Sequence, residues 1–269
     1  MPEVNLQKNC GQQAVNFLFN MLELNYLTNE VKAMRKFLLS LTAVFTLMLF
    51  NAACVMAAEF GPGQRTIELL GGALNSDKHP VHLVVEQTID MKEVLETDAY
   101  AKLTAAQKVH YIRTEYNEMN GINAERSVTT DGEGKVVRDY CSFAKGGRWY
   151  FIDYVNKTYD ELPALPGMSL PFAETLVSWF NERPQSGNDS LTGYDYDQMT
   201  QGERVMFFYF AKGTAEWKGY EVNTLPRFTV VEMSETVDAE TAFALPPAGF
   251  TKKANEQMRN YANRLMQNR

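Results

Sequence analysis

Between Val136 and Leu162 the chain spells three strands joined by two short turns, and that order leaves little choice of fold. Val136–Phe143 (VVRDYCSF) is rich in β-branched and aromatic residues. Ala144-Lys145-Gly146-Gly147 supplies a glycine turn, and Arg148–Asp153 (RWYFID) is the next strand. A second turn near Val155-Asn156-Lys157 leads into Thr158–Leu162. Strands this close in sequence pair antiparallel, because a parallel partner needs a crossover of about a dozen residues or more. The expectation is a mainly β, α+β domain built on an antiparallel meander.

The flanking segments fill in the pattern. Gln64–Leu74 reads as a short helix weakened by Gly71-Gly72, and Val81–Ile89 (VHLVVEQTI) as a strand. Thr104–Asn120 carries Val109, Ile112, Tyr116 and Met119 at helical spacing, with Thr104 as N-cap and Gly121 as stop, so a helix is predicted there. Ser127–Thr130 reaches a turn at Asp131-Gly132-Glu133-Gly134. Leu170–Asn181 is a second amphipathic helix and Arg183–Asp189 a polar loop. Strands resume at Gly193–Met199, Arg204–Phe210, Trp217–Glu221 and Phe228–Met233, and Ala254–Arg269 closes the chain as a polar helix. Nothing marks a repeat or a domain boundary, so residues 59–269 are expected to form one domain.

Residues 34–58 have the layout of a secretory leader. Met34-Arg35-Lys36 is a basic head, Phe37–Phe50 an apolar run, and Asn51–Ala58 a tail of mostly small residues. Val55 and Ala57 suit a cut after Ala57 or Ala58. Phe37–Ala58 is also just long enough to remain as a membrane anchor, but its tail lacks a basic stop. Ala52-Ala53-Cys54 is similar to the end of a lipoprotein box, which makes Cys54 the candidate lipidation site, although Asn51 stands where such boxes carry an apolar residue. A complete leader beginning at Met34 leaves residues 1–33 as an over-extended start. The expected destination is the periplasm or cell envelope, either soluble or tethered through Cys54.

Composition narrows the chemistry. Of 269 residues, 45% are hydrophobic and 22% charged, enough to bury a core, and the net charge of −7 disfavours a nucleic-acid partner. The three cysteines, Cys10, Cys54 and Cys141, are too few for a disulfide framework or a four-thiolate zinc site. His79, His82 and His110 are the only histidines, and no nucleophile–base, metal-ligand or phosphate-loop spacing is present. In Tyr194-Asp195-Tyr196-Asp197, strand alternation places the tyrosines on one face and the aspartates on the other. The expected class is therefore non-enzymatic, with no cofactor.

Two strands are apolar on both sides. Trp149 and Phe151 oppose Tyr150 and Ile152, and Phe207 and Tyr209 oppose Met206, Phe208 and Phe210. Such a strand is either covered on both faces or lines a cavity.

Two stretches resemble the bacterial lipoprotein carriers LolA and LolB. Gly146–Asp153 followed by Lys157-Thr158-Tyr159 looks like that family's glycine turn into an aromatic strand, and Asp238–Phe250, with Leu245-Pro246-Pro247-Ala248-Gly249-Phe250, is similar to its C-terminal element. The resemblance covers about half of residues 81–250. It implies a half-barrel, a curved antiparallel sheet with helices packed on its concave side, and an apolar cavity for an acyl chain, lipid or lipoprotein. Trp149, Phe151, Trp179, Phe207 and Tyr209 are the candidate lining residues. The alternative is an exported interaction or signalling module that uses the same fold to bind a protein through a sheet edge.

Overall fold

The computed structural model describes residues 60–177, 184–223 and 226–267. The leader, Cys54 and Trp179 lie outside the described residues. Twelve strands form one open, curved sheet. Strands β1 (Val81–Asp90), β2 (Val109–Met119), β3 (Ile122–Asp131), β4 (Val136–Lys145), β5 (Arg148–Asp153) and β6 (Thr158–Pro163) step outward as one meander. Strands β7 (Gln185–Asn188), β8 (Asp195–Gln201), β9 (Arg204–Phe210), β10 (Trp217–Val222) and β11 (Phe228–Ser234) form a second, which returns to the first. The two join where β11 pairs antiparallel with β1, from His82 opposite Ser234 to Gln87 opposite Phe228. The mainly β class and the antiparallel meander are both present. Among the described residues the one parallel pair is β12 (Thr251–Lys252) against β6.

Two expectations about local structure need correction. The segment 104–120 is not a helix: Val109–Met119 is the strand β2, laddered to β1 on one side and β3 on the other. Its helical spacing of apolar residues was incidental. Val109, Tyr111, Ile112, Thr114 and Tyr116 favour strand, and two ladders outweigh helix propensity. Gly121 is not a helix stop either. Asn120 and Gly121 both have positive φ, 53° and 71°, and form the Asn-Gly hairpin turn between β2 and β3. Thr104 caps no helix: it precedes a single 3₁₀ turn at Ala106–Lys108 whose N-cap is Ala105, and it exchanges bonds with Gln107, its N–H donating to Gln107 Oε1 at 3.0 Å and its Oγ1 accepting from Gln107 N at 3.4 Å. Arg183–Asp189, expected as a loop, contains the polar edge strand β7.

Helices cover the concave face. α1 (Gln64–Gly71) and α3 (Phe172–Val177) press Leu69, Leu70, Phe172 and Leu176 onto a floor that includes Phe208, Trp217, Tyr220 and Phe228. Tyr220 stacks on Phe228 at 4.4 Å. The Asp197 carboxylate anchors α1 by accepting from Thr66 N at 3.0 Å and Thr66 Oγ1 at 2.9 Å, and its neighbour Asp195 holds Arg65 Nη1 at 2.9 Å. The alternation predicted for residues 194–197 thus serves to fix a helix. Between β1 and β2, the insertion that carries α2 (Thr97–Ala101) packs Val94, Leu95, Tyr100 and Leu103 on Ile89 and Ile112.

The C-terminal segment wraps the far edge of the sheet. It crosses the convex face through α4 (Ala239–Ala242), where Phe243 meets Phe143 edge-on at 5.9 Å and Phe250 meets Tyr154 at 5.7 Å. It then adds β12 to β6 and returns to the concave side as α5 (Glu256–Gln267), which packs Met258, Ala262 and Leu265 against Trp149.

Candidate functional site

The centre of the concave face is polar, and β3 makes it so. This strand turns Asn123, Glu125, Ser127 and Thr129 inward, where all four are buried, and leaves Arg126 exposed on the convex side. Register carries the polar stripe onto both neighbours: Glu125 stands opposite Tyr116 on β2 and Ser142 on β4, while Asn123 stands opposite Glu118. Ser127 Oγ and Thr114 Oγ1 are 3.2 Å apart. In an antiparallel sheet with one solvated face the buried side is ordinarily apolar. Here the order is inverted along β3.

Two carboxyls dominate this stripe. Glu118 is fully buried, with Oε1 accepting from Phe172 N at 2.7 Å and no hydrogen-bond partner for Oε2 among the described residues. Burial pushes its pKa up to about 8, against the opposing pull of the Phe172 N–H and Ser76 hydroxyl and with a further push from Glu174. Glu125 is 4% exposed, and its Oε1 is unpartnered among the described residues. Burial first, and then the charge of Glu118, hold its pKa well above the carboxylate range. Burial also raises the phenols of Tyr116, Tyr140 and Tyr220, and the Glu125 charge adds to the rise in each. Three phenols on three strands therefore face one acid. Among the described residues no ion pair involves either glutamate.

Three apolar clusters frame the stripe. One lies under α1 and α3, one under the 91–103 insertion, and one under α5. Phe151 is partly buried and touches the second and third, stacking on Tyr140 with centroids 5.4 Å apart.

The candidate lining residues separate by face. Trp149 and Phe151 are on the concave side, with Trp149 covered by α5 and meeting Tyr261 edge-on at 5.6 Å. Phe207 and Tyr209 are on the convex side, because Met206, Phe208 and Phe210 take the inward positions of β9. There Arg227 lies over the Tyr209 ring at 3.7 Å, and Tyr209 donates to Glu221 Oε2 at 3.0 Å. These four residues cannot line one cavity.

The histidines are engaged individually. His79 contacts the carbonyls of Pro80 and Gly72, at 3.0 and 3.2 Å. His82 Nδ1 lies 2.8 Å from Asn117 Oδ1 on the convex face. His110 has a pKa lowered by burial and by Arg138, against an upward pull from Asp131. No group of three or more metal-ligating side chains occurs among the described residues. Cys141 is a buried free thiol pushed up to about 12, chiefly by burial, which makes it chemically inert. No helix of the described residues is long and apolar enough to cross a membrane.

Glu118 and Glu125 were missed by sequence reasoning, although their signal was present. Asn123, Glu125, Ser127 and Thr129 alternate with Ala124, Arg126 and Val128. A polar face at period two is ordinarily taken as the solvent face, and only the flanking strands show that it points inward.

No family model matches the chain, and no curated protein matches it. Among solved structures it is similar to an uncharacterized conserved protein from Thermus thermophilus, at TM-score 0.37 and 9% identity over 69% of this chain and 97% of that one. It is also similar to PNGF-II in two crystal forms, at TM-scores 0.26 and 0.29 and 7% identity, over 71% of this chain. The chain spans about a third of the length of PNGF-II. At these scores the likenesses assign neither family nor activity.

Proposed function

We propose that residues 59–269 form a non-enzymatic, LolA/LolB-like binding protein of the bacterial cell envelope that holds an acyl chain, lipid or lipoprotein on its concave face. The observation that carries this reading is the division of the concave core. It consists of three apolar clusters, each closed by a separate helical element, with Phe151 bridging two of them. A chain lodged between such elements needs only small shifts of helices against a fixed sheet. Burying ten methylenes contributes about 8 kcal/mol before association costs, enough for micromolar binding without a charged partner. The test is mass spectrometry of lipids that co-purify with the exported domain, followed by titration with a fluorescent fatty acid. Saturable uptake and a recovered amphiphile are expected, and absence of both overturns the reading.

Export is part of the same proposal. The secreted product is expected to begin near Glu59, or at a diacylated Cys54, and its intact mass distinguishes the two. A secreted chain that retains residues 1–33 overturns Met34 as the start.

One observation favours the interaction-module reading. Among the described residues β7 pairs only with β8, whereas the opposite edge is extended by β12. An extended peptide could add to the β7 edge by main-chain hydrogen bonds. Peptide binding that is abolished by Ser186→Pro, with fatty-acid uptake unchanged, would establish this reading.

A further inference from the structure

The polar stripe is richer in acceptors than in partners for them. Glu118 Oε2 and Glu125 Oε1 have no hydrogen-bond partner among the described residues. Asn123, 6% exposed and opposite Glu118 in the ladder, presents an Oδ1 that also lacks one. Glu118 and Glu125 are diagonal neighbours on adjacent strands, a placement that sets Cα atoms about 7–8 Å apart. A single amino group placed between them can reach acceptors from both strands. A buried carboxylate that ionises needs a paired cation, and its strongest polar contacts are charge-assisted. Around Glu125 stand the phenols of Tyr116, Tyr140 and Tyr220, and aromatic rings with an acid are a favourable setting for an ammonium group.

We infer that Glu118, Glu125 and Asn123 form a recognition site for a primary amine, so that the ligand of the half-barrel is an amine-bearing amphiphile with its chain between the apolar clusters. This rests on the proposed acyl-chain binding and names the head group. It has a proton signature. The unliganded acids are held protonated by burial, so capture of an alkylammonium ion releases one proton from the pair, and binding tightens as pH rises from 6 to 8. The groups that face the pair are Tyr116 on β2, Tyr140 on β4, Tyr220 on β10 and Glu174 on α3, with Asp77 beside Glu174. All are acids or phenols; Arg138, also on β4, acts on Tyr140, and among the described residues no cation acts on either glutamate.

The experiment displaces a fluorescent fatty acid from the full exported domain with dodecylamine, dodecanol and dodecanoate, each below its micellar concentration. Dodecylamine should bind at least tenfold more tightly than dodecanol, and the gap should widen from pH 6 to pH 8. Glu125→Gln should remove that advantage while leaving dodecanol within twofold, and Glu118→Gln should reduce it. Should Glu125→Gln fail to fold, the three-ligand comparison on the unaltered protein decides alone. Equal affinity for dodecylamine and dodecanol overturns the amine site and leaves the chain-binding reading intact. Failure of all three ligands to bind overturns both.

Discussion

Glu118 on β2 and Phe172 at the start of α3 are tied by a 2.7 Å hydrogen bond from the Phe172 N–H to the Glu118 carboxyl. They stand 54 residues apart in the chain, and the bond fastens a helix to the floor of the half-barrel. The second carboxyl oxygen, Oε2, has no hydrogen-bond partner among the described residues. In the amine site proposed above, this one side chain would serve both the fold and the ligand.

This arrangement makes stability fall as the solution becomes alkaline. Glu118 has a folded pKa of about 8, above the ordinary value of 4.5, so the folded state holds a proton that the unfolded state has lost. Between those two values each pH unit costs up to about 1.4 kcal/mol from this group alone. The urea midpoint should drop from pH 5 to pH 8, and Glu118→Gln should flatten that dependence. A wild-type midpoint that rises over this interval would contradict the burial of Glu118.

Asp160 on β6 is the anchor of α5. It is 1% exposed and accepts from Arg259 Nε and Nη2, both at 2.8 Å, and from Asn255 N at 2.8 Å. Burial alone would push its carboxyl up, but these bonds outweigh that and hold it below the ordinary value. Its stabilisation is thus complete above about pH 4 and is lost as pH falls through the lowered value. Arg259→Ala should cost about 2 kcal/mol and make the acid limb less steep. Hydrogen exchange should quicken across 256–267, with little change in β9 and β10.

The meander was legible because glycine turns and aromatic strands follow one another from Val136 to Leu162, where neighbours in sequence are neighbours in space. The reversal at β2 was not. Val109, Ile112, Tyr116 and Met119 satisfy a helix template, and the ladder to β1 that overrides it forms across an insertion invisible to local periodicity. The seam between β1 and β11 joins residues more than 140 apart, and no local signal encodes it. The site was hidden for a related reason. Which face of β3 points inward depends on the curvature of the whole sheet, so Glu125 is indistinguishable from a surface glutamate until both flanking strands are placed.

Gly219 is required by a close approach. A Cβ there would lie 2.0 Å from the Phe228 carbonyl oxygen, where β10 bulges between β9 and β11. The opposing atom is backbone in a laddered strand and cannot yield cheaply. Gly219→Ala should therefore cost about 3 kcal/mol, a fall of roughly 10 °C in Tm. Gly202, with φ 62° and open space around it, is the control. Gly202→Ala should cost about 1 kcal/mol from backbone strain alone. Equal losses at the two positions would rule out the close approach.

Trp149 and Phe151 share a face but should not behave alike. Trp149 is packed among Met168, Met258, Leu265 and Tyr261, so Trp149→Ala opens a cavity under α5 and should cost about 3–5 kcal/mol. Any loss of ligand uptake in that variant is confounded with loss of the helix. Phe151 is only partly buried and spans two clusters, so Phe151→Ala should cost about 2 kcal/mol while reducing fatty-acid uptake about tenfold. Ile152, fully buried in the convex cluster beneath the C-terminal segment, supplies the comparison. Ile152→Ala should lower the melting temperature at least as much as Phe151→Ala and leave uptake within twofold. Should uptake instead follow stability equally in both variants, Phe151 does not touch the ligand, and the binding surface lies away from the gap between the insertion and α5.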